Sequence, residues 1–218
     1  MKSRILLLSI LLVPATIAHC QEIDEEDYRA SFALYEEAKL LIEEGNLDQA
    51  VDFLQQAHEF NKGNTDFTYV AAFALFKQKD YPAALKKIGW SLALEPFQSD
   101  YLVLAGNISF RAKQYEKSVG YYSKALQYQD SSEVPINELR CLYNRGTCYL
   151  NLKEYEAAVK DFSLVIDTDD ENYMAYHNRG LAHINLRQGS EGCSDLQKAI
   201  DLGSPISEKY QNKYCEEP

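Results

Sequence analysis

Residues 143–152 read YNRGTCYLNL and residues 177–186 read HNRGLAHINL. The tripeptides Asn144-Arg145-Gly146 and Asn178-Arg179-Gly180 and the dipeptides Asn151-Leu152 and Asn185-Leu186 recur at a spacing of 34 residues, so two stretches of chain adopt one conformation. A period of this length means one helical hairpin per copy. Two short helices cannot bury an apolar stripe alone and must stack on neighbours.

Working outward from that pair, the small residue in the middle of each first helix aligns as Ala38, Ala72, Gly106, Gly146 and Gly180. Twelve residues further on a second small slot holds Ala50, Ala84, Ser118, Ala158 and Gly192, and seven beyond that come Ala57, Ser91, Ala125, Val165 and Ala199. Small side chains there allow two helices to approach closely. A bulky residue fills the turn within the hairpin at Leu47, Tyr81, Tyr115 and Tyr155, and Pro96 falls where the second copy should stop.

This pattern resembles the tetratricopeptide repeat family: a small residue in helix one, a Tyr before helix two, two spaced small residues in helix two and a closing Pro. The resemblance covers residues 31–206 as copies 31–64, 65–98, 99–132, 139–172 and 173–206, with 133–138 inserted as a longer turn between copies three and four. It implies an all-α, right-handed α-solenoid of five helix-turn-helix repeats. The chain departs from the family at Leu34, Thr68, Leu102, Leu142 and Tyr176, where an aromatic near the start of helix one is usual, and at Gly189, where the turn Tyr is missing. Residues 205–217 read as a capping helix with Ile206, Tyr210 and Tyr214 as its apolar stripe, since a solenoid end must not leave its last hairpin in water. An acidic N-terminal segment, 21–30, precedes the first copy, and within it Glu22–Asp27 reads as disordered or as a frayed helix start.

Lys2 and Arg4 precede the apolar run Ile5–Val13, and Pro14 and small residues follow before Cys20, which is the plan of a secretory signal peptide over residues 1–20. Nine residues are too few to span a membrane core of about 30 Å. The short signal and the style of the repeats resemble exported bacterial proteins, which implies the periplasm or cell envelope. Bacterial lipoproteins carry a lipidated cysteine right after the signal, and Cys20 has that place. His19 stands where the lipoprotein motif wants Gly, Ala or Ser, so ordinary cleavage near Ala18 or after Cys20 is favoured over a lipid anchor.

The whole chain carries a formal charge of −11; without Lys2 and Arg4 of the signal, 20 of its 22 basic residues remain against 33 acidic ones, giving −13. Nucleic acid is a poor match for this balance, because the basic residues are dispersed and phosphate binding needs them clustered. Cys141 and Cys148 lie seven apart on one helix, about 10 Å along its axis, too far to bridge and read as buried small apolar residues. Cys193 opens the second helix of copy five and Cys215 ends the cap, so the two could close a bridge in an oxidising compartment; the alternative is a pair of free thiols.

No catalytic constellation is evident. His177 and His183 are six apart on one helix and do not share a face as ligands four apart do. No CxxC, HExxH or phosphate-cradling glycine loop occurs, and no cofactor or metal is implied. Asn107-Ile108-Ser109 has the form of a glycosylation acceptor but falls inside a predicted helix.

The resemblance further implies that the first helices line a concave groove that binds peptide segments of partner proteins. The candidate groove residues are Phe32, Tyr35, Tyr69, Phe73, Phe76, Lys77, Phe110, Arg111, Arg140, Tyr143 and His177, aromatic in the first half and more polar in the second. That suggests an apolar peptide with a polar end. Two alternatives stand beside it: some rings pack between neighbouring first helices, or the acidic N-terminus fills the groove. The clamp by which some family members hold a chaperone's C-terminal carboxylate needs Lys one turn before Asn, and Asn107 is preceded there by Val103. Trp90 occupies a slot that is Gln56, Lys124 or Lys198 in other copies, which leaves it either as a contact site on the outer face or, preferably, folded over a neighbouring loop.

Overall fold

The computed structural model describes residues 23–128 and 135–215; the signal-peptide segment and Cys20 lie outside the described residues. Within them the chain forms five helical hairpins: α1 (Glu25–Glu44) with α2 (Leu47–Phe60), α3 (Thr65–Lys77) with α4 (Tyr81–Leu94), α5 (Ser99–Arg111) with α6 (Tyr115–Gln127), α7 (Pro135–Leu152) with α8 (Tyr155–Thr168), and α9 (Tyr173–Asn185) with α10 (Gly189–Asp201). A last helix, α11 (Ser207–Tyr214), packs on α10. Each helix touches the next in sequence, and successive first helices also touch.

The hairpin turns are built one way throughout. Repeat position 15 takes a left-handed conformation in every copy, at Gly45, Lys79, Lys113, Lys153 and Arg187. The following residue's N–H reaches back to a carbonyl five residues earlier, as in Asn46 to Leu41, Asp80 to Leu75 and Gln188 to His183, at 2.8–3.0 Å. This closure satisfies carbonyls that the end of a helix would otherwise orphan. Asp80 then caps α4 by accepting from the Ala83 N–H at 3.1 Å, and Asp24 caps α1 by accepting from the Asp27 N–H at 2.8 Å.

The aligned small residues are where the helices of each hairpin meet. Ala38, Ala50, Ala72, Ala84 and Ala158 have no exposed surface. At Gly180 and Gly192 the contact is backbone to backbone: a Cβ on Gly192 would lie 2.9 Å from the Gly180 carbonyl oxygen, and one on Gly180 would lie 3.0 Å from the Gly192 carbonyl oxygen. Copies four and five add a polar tie. Arg145 donates to both carboxylate oxygens of Asp161 at 2.7 and 2.8 Å and to Ser123 of the preceding copy at 3.0 Å. Arg179 repeats this on Asp195 and Ser163. Pairing with the carboxylate raises each guanidinium above its ordinary pKa.

Four expectations are corrected in detail. Glu25–Asp27 are helical: capped by Asp24, α1 begins at Glu25, almost two turns before the first copy. The insertion before copy four is not only a turn, since α7 already begins at Pro135, a residue suited to a first helical position. In the cap, Ile206 precedes the helix and is exposed, as is Tyr214, while the fully buried residue is Ser207. Trp90 is 57 % exposed, and the partner of its ring is a helix residue, His58 of α2, in an edge arrangement at 6.3 Å.

Cys193 and Cys215 are joined by a disulfide with Cα atoms 5.6 Å apart, and Cys141 and Cys148 are free and buried. The bond tethers the end of α11 to α10 across a separation of 22 residues. Closing a loop of that size removes unfolded-state freedom worth about 3 kcal/mol. A Cys193→Ser/Cys215→Ser double variant should therefore lose about that much stability, read as a lower urea midpoint with faster amide exchange in residues 207–214. Unchanged midpoint and exchange would show that the cap holds by packing alone.

Candidate functional site

The first helices form one continuous face, and its sequence-predicted residues divide into three groups. Phe32 and Tyr35 are half-buried and pack on Phe67 of α3, with ring centroids 5.6 and 5.2 Å away, so they tie the first two first helices together. Tyr69 stacks on Tyr101 of α5 at 4.9 Å in the same manner. Burial raises the phenols of Tyr35 and Tyr69, so both remain neutral near pH 7. These rings are half-buried and so offer only part of their surface.

The second group is open. Phe73 is 38 % exposed, with the Lys77 ammonium 5.3 Å from its ring centroid. Next to it a recess of about 310 Å³ is lined by Phe76 of α3, Asn107, Phe110 and Arg111 of α5, and Arg140 and Asn144 of α7. Phe76 and Phe110 are held by the turn tyrosines Tyr81 and Tyr115, at 6.2 and 5.8 Å. Asn107 is oriented from below: its Oδ1 accepts from the Tyr122 hydroxyl at 2.7 Å and from Asn144 Nδ2 at 3.3 Å. That leaves the Asn107 amino group and the Asn144 Oδ1 for a ligand. Arg111 and Arg140 are exposed, and neither forms an ion pair among the described residues.

The third group is tied into the fold. The Tyr143 ring packs on Phe162 at 5.7 Å and its hydroxyl accepts from Asn178 at 3.0 Å. His177 is 5 % exposed, its Nδ1 paired with the Ser207 hydroxyl at 2.8 Å and its ring against Tyr210 of α11 at 5.1 Å. It is thus a residue under the cap and not a groove residue, and burial lowers its pKa. Asn144, missing from the sequence-derived groove set although it belongs to the most regular motif in the chain, joins the site through Asn107. The shared register of Asn144 and Asn178 was its signal: each reaches back to the preceding first helix.

A second recess, about 500 Å³, lies beside Arg179, His183, Ser190, Glu191, Ser194 and Asp195. Its Arg179 and Asp195 satisfy each other, so it offers less unmatched charge. Among the described residues no cluster of three His, Cys, Asp or Glu has metal-ligating geometry, and no helix is long and apolar enough to cross a membrane. The Asn107-Ile108-Ser109 triplet lies within α5, with Ser109 buried.

Hairpins of this period, stacked through small residues and closed by a cap, define a helical-repeat protein. The chain belongs to the tetratricopeptide repeat family, whose sequence profiles match residues 41–87, 69–133 and 139–172. Among curated proteins it is 25% identical over 148 residues to a DnaJ homolog subfamily C member 7 homolog of Dictyostelium discoideum, covering 62% of this chain and 27% of that protein. It is 31% identical over 67 residues to Hsp70-Hsp90 organizing protein 1 of Glycine max, covering 31% of this chain and 11% of that one. The chain thus spans only about a quarter of the first relative and about a tenth of the second. Among solved structures it superposes on YrrB, described as a tetratricopeptide repeat protein with an unusual peptide-binding site, with a TM-score of 0.76, 19% identity and coverage of 87% of this chain and 95% of that one. MamA of Desulfovibrio magneticus RS-1 gives 0.72, 16% identity and coverage of 84% and 97%.

Proposed function

We propose that this chain is a non-catalytic interaction scaffold of the bacterial cell envelope that holds a segment of a partner protein along its first-helix face. The observation that carries this reading is the open stretch from Phe73 to Arg140, where exposed and half-buried rings alternate with hydrogen-bonding groups whose own partners leave capacity unused. Aromatic rings give a large contact area at a small loss of rotamer freedom, which is why they dominate binding hot spots. The family's members include a peptide-binding protein and a chaperone organiser by name, and both support a protein or peptide as ligand. Export rests on the Lys2–Cys20 segment, and the Cys193–Cys215 bond supports an oxidising compartment.

The test is affinity capture from envelope extract with residues 21–218, beside a variant with Tyr69, Phe73 and Phe110 changed to Ala and matched for helicity. Capture of the partner should fall by more than about tenfold in the variant. Equal capture by both proteins would sink the groove reading.

One observation favours a second reading, a structural subunit of an envelope assembly or a homo-oligomer. Phe60, Leu94 and Tyr128 occupy the same repeat position at the ends of α2, α4 and α6, and all are exposed, with Phe97 stacked on Tyr128 at 4.5 Å. A mass that rises with concentration would support that reading.

A further inference from the structure

We infer that the recess between α3, α5 and α7 is an acid-reading subsite, taking the side-chain carboxylate of an Asp or Glu that is flanked by an apolar residue in the bound segment. The inference rests on the groove reading above and assigns its central contact. Three observations converge on it.

Among the described residues the charge is unmatched. In a chain with 33 acidic residues and a net charge of −11, Arg111 and Arg140 stand on adjacent first helices beside one recess and form no ion pair with a described residue. The arginines that serve the fold look different: Arg145 and Arg179 are each locked bidentately onto a buried carboxylate. A guanidinium presents a planar fork of donors that matches two carboxylate oxygens, so an open pair is complementary to that group.

The neutral lining also keeps a donor to spare. With Asn107 Oδ1 occupied by Tyr122 and Asn144, the Asn107 amino group is the part left to donate. The Asn144 Oδ1 remains as an acceptor suited to a peptide N–H. Three donor side chains, two from α5 and one from α7, with one acceptor fit an acidic residue in an extended chain better than a free inorganic ion, which would have no use for the acceptor. Finally, Phe76 and Phe110 border the same recess and are held by turn tyrosines, so the neighbouring residue of the segment meets fixed apolar walls.

The probe is a positional-scanning library of synthetic decapeptides, acetylated and amidated so that only side chains carry charge, with phosphoserine among the residues. The wild-type chain is expected to select Asp or Glu at one position beside an apolar residue, and to bind an acidic peptide about tenfold more tightly than its Asn or Gln twin. An Arg111→Gln/Arg140→Gln variant of equal helicity should lose that preference, and in the wild type the preference should shrink as salt rises. Selection of apolar peptides with no acidic position would overturn the subsite while leaving the groove reading intact. Selection of phosphoserine in place of Asp and Glu would overturn the carboxylate assignment, and no selection of any peptide would overturn the groove reading together with it.

Discussion

Asp161→Ala should lower the stability of this chain by about 3–5 kcal/mol. The carboxylate side chain is 5% exposed and receives two guanidinium hydrogen bonds from Arg145, itself largely sequestered between α7, α8 and Ser123 of α6. Removing the carboxylate leaves a largely sequestered cation with only the Ser123 hydroxyl and the face of the Tyr149 ring, 6.0 Å away, as partners. That is more costly than never having had the pair, because desolvation of the arginine is no longer offset. An Arg145→Met/Asp161→Leu double change, which removes both charges and keeps the volume, should recover most of the loss. In a stacked solenoid the damage concentrates where the pair sits and spreads to neighbouring copies through their interfaces. The measurement is urea unfolding followed by circular dichroism, with amide exchange to locate the loss in α7 and α8. A single variant within about 1 kcal/mol of wild type, the scale of an exposed ion pair, would mean that the pair is effectively solvated.

Much of the architecture was legible because a repeat states each requirement several times. The slot shared by Ala38, Ala72, Gly106, Gly146 and Gly180 had to be small for one steric reason, and it lies where each first helix meets its second. The turns were less legible. A left-handed residue is expected to be glycine, yet only Gly45 obeys; Lys79, Lys113, Lys153 and Arg187 take the same conformation because the backbone closure outweighs a local cost of about 1 kcal/mol. Element ends were misplaced where the chain steps out of register, at Glu25 and Pro135, since the period says nothing about how far a helix overshoots its unit. The candidate site was legible by face but not by depth. Position alone set His177 beside Tyr143 in the groove, whereas α11 covers the histidine and Phe162 packs against the tyrosine ring. Depth depends on which neighbour arrives, and the neighbour of the last copy is a helix outside the repeat.

Tyr122→Ala should cost the fold about 3–5 kcal/mol, the range for emptying a buried aromatic site. Tyr122 has no exposed surface, and its ring fills the space left by Gly106: a Cβ there would lie 2.6 Å from Tyr122 Cε1. Truncation would open a void between α5 and α6 that Gly106 cannot fill. Burial also pushes the phenol well above its ordinary pKa, so the hydroxyl keeps its proton and donates to Asn107 across the physiological range. Tyr122→Phe separates the two roles of the side chain. It retains the ring, removes one hydrogen bond worth about 1 kcal/mol, and leaves Asn107 free to turn its amide. The phenylalanine variant should therefore melt close to wild type and yet discriminate less between acidic peptides and their amide twins, whereas the alanine variant should fail first in stability. Equal discrimination by wild type and Tyr122→Phe would mean that Asn144 alone suffices to orient Asn107, which would leave the core tyrosine with a purely structural part in the groove.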